Sequence, residues 1–287
     1  MISRRVANIL KSETLQMGKT TVKQPLPTVK VDQVSPFLLL HHFGPAEVEP
    51  GQDPLDVGPH PHRGFEPVTF LYSGGIRHKD SRDNEGILGP GDVQWMTAGR
   101  GIIHSERASR SFLEQGGVME GIQLWVNLPK AHKMVQPKYQ DIKAENIPVI
   151  TEFNRDVIFK LIAGDFKGAT GPASTYTPIL AVNAELEAEA ATFIPIPEAY
   201  NAMIYIVSGS ITLKSGFAYQ KETLLHFHNE GEGVRVEAKS DTRLLVLAGA
   251  PIDEPVAQWG PYVMNTQTEV LEAMRDYQMG KMGVYIE

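Results

Sequence analysis

The feature that most restricts this chain is its punctuation. Short apolar runs such as PVTFLY, GIQLWVNL, VIFKLIAG, MIYIVSG and TRLLVLAG are each closed off by Gly, Pro, Asn or Asp. They are too short for ordinary helices and rich in β-branched and aromatic residues, and 20 prolines with 26 glycines leave little room for long uninterrupted elements. Such a rhythm predicts antiparallel β-sandwiches or small barrels. One helix stands apart near the end. Thr266 with Glu269 makes a capping box, Val270, Leu271, Ala273, Met274 and Tyr277 form an apolar face, and Gly280 stops it.

The β texture repeats. FLYSGGI at 70–76 and YIVSGSI at 205–211 lie 135 residues apart, and each is an apolar strand running into a Ser-Gly turn. This predicts two copies of one barrel, 1–135 and 136–287, joined around LPKAHKMVQPKYQDI with its prolines Pro129 and Pro137. A length of 287 residues with 42% hydrophobic content suffices for two such domains.

The chemistry is concentrated in the first copy. His60 and His62 stand two apart in GPHPHRGFE, so on a strand both imidazoles share a face, their Cα atoms roughly 6 to 7 Å apart. Glu66, Val68 and Phe70 continue the same parity. His104 and Glu106 repeat the spacing in GIIHSE. Two neighbouring strands that each give two inward ligands offer three imidazoles and a carboxylate. That set suits Fe(II), Mn(II), Ni(II), Cu(II) or Zn(II), and not magnesium or calcium. Spacing leaves Glu66 and Glu106 both open as the carboxylate. The absence of cysteine removes thiolate ligands, cysteine nucleophiles, disulfides and thiol redox sensing.

The 135-residue offset carries His60 onto Pro195, His62 onto Pro197 and Glu66 onto Asn201, so the second copy is expected to bind no metal. It has an HxH of its own, His226 and His228, but no second His or Glu pair follows on a plausible partner strand. The two read as ordinary strand histidines. His41 and His42 are adjacent and point to opposite faces. His78 and His132 are assigned to turn hydrogen bonding and to solvent, Arg63, Lys79 and Arg100 to solvated strand ends, and Phe65, Phe70, Trp95 and Met96 to the core.

A formal charge of −7 with no long basic run speaks against nucleic acid or an anionic membrane as a direct partner. The twin arginine Arg4 and Arg5 is not followed by the roughly 7 to 15 apolar residues of an export signal. No stretch approaches the roughly 18 apolar residues of a membrane span. The expectation is a cytoplasmic monomer.

HPHRGFEPVTFLYSG, GPGDVQWMTAGRGIIHSE, QLWVNLP and GPYVMNT followed by a capped helix together resemble the cupin superfamily, and within it the pirin family. The resemblance implies an all-β bicupin, two jelly-roll barrels with a short C-terminal helix. It implies one mononuclear divalent metal centre, usually Fe(II), in the N-terminal barrel, with His60, His62, His104 and Glu106 as ligands and a degenerate C-terminal barrel. Glu66 is then left to orient a histidine or to act as a base beside the open coordination position, so that Glu106 and Glu66 are the candidate catalytic pair. The resemblance also implies two kinds of function. One is quercetin 2,3-dioxygenase activity on a flavonol with O2, the reading favoured here. The other is a regulatory role in which the iron's charge state modulates a protein partner without turnover. One position departs from the family: after LLL, where Asp is expected, stands His41.

Overall fold

Strands dominate the computed structural model, which describes residues 1–286 apart from Asp56 and Ser215. The repeat marked by the two Ser-Gly turns is present as two sets of sheets with matching order. In the first set a seven-stranded sheet runs Lys138–Ile142, Val93–Thr97, Phe65–Ser73, Gly117–Asn127, Phe37–Val48, Thr20–Leu26, Glu13–Met17. A four-stranded sheet runs Val57–His62, Ile102–Ala108, Ile76–Asp80, Glu85–Leu88. The second set repeats this with Val6–Lys11, Thr223–Phe227, Asn201–Ser208, Thr242–Gly249, Ile179–Leu186, Val157–Ala163, Val149–Glu152 and with Ala191–Pro195, Gly233–Ala238, Ser210–Thr212, Ala218–Gln220. The architecture is therefore an all-β bicupin, each copy a pair of cupin-like sheets rather than a closed barrel.

Two units result, and each draws on distant parts of the sequence. One comprises Thr14–Gln24, Phe37–Ala144 and Ile252–Glu287, and the other Met1–Glu13, Pro25–Pro36 and Glu145–Pro251. The second is filled with aliphatic side chains. Ile194 lies opposite Val234 on paired strands, and Phe159, Ile204, Val236 and Val246 are fully buried around them. At about 1.5–3 kcal/mol for each such side chain, this interior needs no polar anchor.

Local signals held in part. The terminal helix spans Gln267–Gln278, and its capping box is complete: Glu269 N donates to Thr266 Oγ1 at 3.2 Å and Thr266 N donates to Glu269 Oε2 at 2.9 Å. Its buried stripe is narrower than the pattern suggested, because Val270 and Ala273 are enclosed while Leu271 is 65% exposed. A second, short helix at Arg110–Gln115, capped by Ser109, had no apolar period to betray it. The segment read as a linker is structured. Lys130–His132 forms a 3-10 turn, and Lys138–Ile142 pairs with Val93–Thr97 at a sheet edge. Pro137 immediately precedes this strand, where it removes no ladder donor. Among the described residues no helix is long and apolar enough to cross a membrane.

Candidate metal centre

Val57–His62 and Ile102–Ala108 pair antiparallel, with His104 directly opposite His60 and Ile102 opposite His62. The two half-sites read from sequence thus do adjoin, and alternation places all three imidazoles on one face. Their ring centroids stand 4.4 to 4.8 Å apart, and their nearest ligand atoms all fall within 4.8 Å of one another. His60 is half-buried, while His62 and His104 are 2% and 1% exposed.

The nitrogens are arranged for an ion. His60 Nδ1–H donates to the Gly58 carbonyl at 2.9 Å, which fixes the tautomer and leaves Nε2 with a lone pair. That Nε2 lies 3.0 Å from His62 Nε2, about the separation of two cis ligands each about 2.1 Å from a metal. Both nitrogens of His104 are buried without a hydrogen-bond partner among the described residues, which costs about 1–3 kcal/mol per group unless something binds there. Burial, then the neighbouring imidazoles, holds His62 and His104 well below the ordinary histidine pKa. Both are thus neutral, the form that ligates. The donor set fits a transition metal.

The two carboxylates part company. Glu106 keeps strict alternation with His104 against Ile76–Asp80, and the irregularity beside it is an extra residue on the partner strand, which sets Glu106 opposite Val57. Its oxygens accept from Gln123 Nε2 at 3.1 Å and from Thr69 Oγ1 at 3.5 Å. Burial pushes its carboxyl up, opposed by His60 and these two donors. Glu66 instead accepts from Thr97 Oγ1 at 2.6 Å, and burial pushes its pKa up to about 7. Thr69, three residues later on the same strand, lines the cavity over the histidines, so Glu66 points to the opposite face of the sheet. The parity carried across from His60 and His62 fails at Gly64, a turn with φ +87 that separates the two strands.

That turn is heavily braced. Arg63, expected at a solvated strand end, is 4% exposed and donates to the Arg100 carbonyl at 2.6 Å and to Asp276 at 3.0 Å. Val263 N donates to the Arg63 carbonyl, and a Cβ on Gly64 would collide with the Val263 carbonyl oxygen. Lys133, wholly enclosed, donates to the carbonyls of Gly64 and Val263 and to Asn127 Oδ1, and burial pushes its pKa down to about 7.

A cavity of about 320 Å³ opens beside the cluster, walled by Val22, Phe43, Leu55, Val57, Ile76 and Trp125, with His60, His62 and Glu106 on its lining. Thr69, Gln123, Trp125 and His41 were not singled out for it from sequence. The two-apart spacing of Gln123 and Trp125 in QLWVNL was the available signal. Phe65, Phe70, Trp95 and Met96 are core, as expected.

His41 and His42 do face opposite ways. His41 lines the cavity, and His42 Nε2 meets Glu120 at 3.3 Å. They lie on the long strand Phe37–Val48. His78, expected in a turn, is not in one. It is buried on Ile76–Asp80, bonded to Gln94 at 2.6 Å and stacked on Tyr139.

In the second unit His226 Nδ1 bonds to Asn8 at 3.0 Å and His228 is exposed. Pro195 ends a strand opposite Gly233, and the Asn201 amide donates to the Ser35 carbonyl. His226→Ala with His228→Ala is therefore expected to leave metal content unchanged at one ion per chain by elemental analysis. A drop from two ions to one would show a second site.

The comparisons identify the family. Residues 19–126 match the model of the Pirin family and residues 181–283 that of the Pirin C-terminal cupin domain. The Arabidopsis thaliana protein Pirin-1 is 41% identical over 266 residues, 88% of this chain and 86% of its own length. A Pseudomonas aeruginosa protein that carries quercetin 2,3-dioxygenase as a provisional name is 38% identical over 248 residues, 86% of each chain. The crystal structure of a quercetin 2,3-dioxygenase from Acinetobacter baumannii superposes with a TM-score of 0.94 at 35% identity, covering 99% of this chain and all of that one. With both halves matched and relatives this similar along most of its length, the chain belongs to the pirin family of bicupins.

Proposed function

We propose that the chain holds one Fe(II) ion through His60, His62, His104 and Glu106 and cleaves a flavonol such as quercetin with dioxygen. The observation that carries this reading is the convergence of three imidazoles beside an apolar cavity of a size that takes a small aromatic ligand. An ion held by these residues would supply Lewis-acid polarisation of the flavonol 3-hydroxyl and redox chemistry toward dioxygen. Glu106 accepts the hydroxyl proton at a carboxylate oxygen, and Gln123 and Thr69 keep that carboxylate aimed. Trp125 and Phe43 offer faces on which the ring system packs, and the apolar wall keeps water from competing. Both oxygen atoms of O2 enter the ring-opened ester, and one carbon leaves as carbon monoxide. The name of the Acinetobacter baumannii relative supports the same chemistry. The second copy serves as a structural partner without metal.

The test is oxygen uptake with quercetin under air, matched by loss of flavonol absorbance and one carbon monoxide per flavonol consumed. Equal rates for wild type, for a variant lacking His60 and His62, and for free metal in buffer would mean that the oxidation is not the protein's. The reading would then pass to the regulatory alternative, in which the ion tunes affinity for a protein partner.

A further inference from the structure

The cavity wall is mostly apolar, yet one row of polar side chains crosses it. On adjacent strands Thr69 lies opposite Gln123, and Gln123 lies opposite His41. All three line the cavity. Thr69 and Gln123 at the near end hold the Glu106 carboxylate. His41 at the far end has no part in that arrangement.

It stands two strand spacings from Thr69, about 10 Å. Its same-face neighbours along the strand, Leu39 and Phe43, are both apolar and buried, so packing alone would call for an apolar residue between them. His41 Nε2–H donates to Gln24 Oε1 at 2.7 Å, which fixes the ring's tautomer and orientation and leaves Nδ1 as an acceptor with no hydrogen bond among the described residues. Burial lowers its pKa to about 4, so the ring stays neutral around pH 7. The result is an oriented acceptor set into an apolar wall.

We infer that His41, held by Gln24, is the specificity-determining residue of this cavity, accepting a hydrogen bond from a hydroxyl on the ligand ring farthest from the three histidines. The assignment rests on the flavonol reading for the identity of that ring. A ligand without the hydroxyl leaves the buried acceptor stripped of water and unpaired, so it is penalised beyond the loss of one contact.

Calorimetric titration of Fe(II)-loaded protein under argon with quercetin, and with galangin, a flavonol bearing no hydroxyl on its pendant ring, tests this. Wild type is expected to bind quercetin about tenfold tighter than galangin. His41→Phe should bring that ratio to about one, chiefly by weakening quercetin. Gln24→Leu, which frees the imidazole to turn, should lower the ratio in the same direction and reads the effect if His41→Phe does not fold. A purely structural role would shift both ligands alike. The wild-type ratio persisting in whichever variants fold, or equal binding of the two flavonols by wild type, would overturn the assignment and leave the flavonol reading standing. Failure of both flavonols to bind wild type would overturn that reading and this assignment with it.

Discussion

Replacing His60 and His62 together with alanine is expected to take the metal content from one ion per chain to none while the chain still folds. The two removed nitrogens lie 3.0 Å apart and face one another, leaving one buried imidazole, His104, and the Glu106 carboxylate, half of the proposed ligand set. Losing the enclosed His62 ring opens a void that costs about 2–4 kcal/mol in a packed interior. In the metal-free state this is offset in part, because nitrogens buried without partners are no longer crowded together. Metal-free melting temperatures of variant and wild type should therefore lie close together, and only wild type should gain stability when metal is added. Full occupancy in the double variant, by elemental analysis, would sink the site.

Glu106→Gln and Glu66→Gln should separate cleanly. Glu106 stands on the cavity wall between two donors, so its amide variant should lose about 10²- to 10⁴-fold in turnover and bind metal more weakly. Glu66 faces Thr97 on the other side of the sheet, so its variant should keep the metal and most of the rate. The reverse pattern would hand the carboxylate role to Glu66. A second readout marks Glu66. Its pKa rises from 4.5 to about 7 on folding, so the folded chain holds this proton more tightly than the unfolded chain does. Stability is then lost as pH climbs through that window and does not return above it. Glu66→Gln removes the loss. Its melting temperature should exceed that of wild type at pH 8, with little difference at pH 4.

These two glutamates show where reading the sequence succeeds and where it stops. The pairs His60 with His62 and His104 with Glu106 are each local to one strand, and alternation alone places their side chains. Carrying that parity from His62 to Glu66 requires an unbroken strand, and the left-handed Gly64 breaks it. Thr69, Gln123 and His41 form a row only through the register of three strands whose residues lie far apart in sequence. Leu271 misled for a related reason. Helical periodicity gives the stripe, but the surface that covers it decides how wide the buried part is. Pro129 and Pro137 read as a linker because proline punctuates loops and strand starts alike, and only the pairing with Val93–Thr97 tells them apart.

Arg63 reaches Asp276 on the terminal helix, and Val263 pairs with the backbone of the turn that carries the histidine motif. In the order in which a ribosome makes this chain, His60 and His62 emerge well before the residues that clamp their turn, since Asp276 follows Arg63 by 213 residues. The unit that carries the three histidines includes Ile252–Glu287, so it stays incomplete while that segment is still inside the exit tunnel. A product stopped short of the terminal helix would carry all of its histidines and still lack the finished pocket.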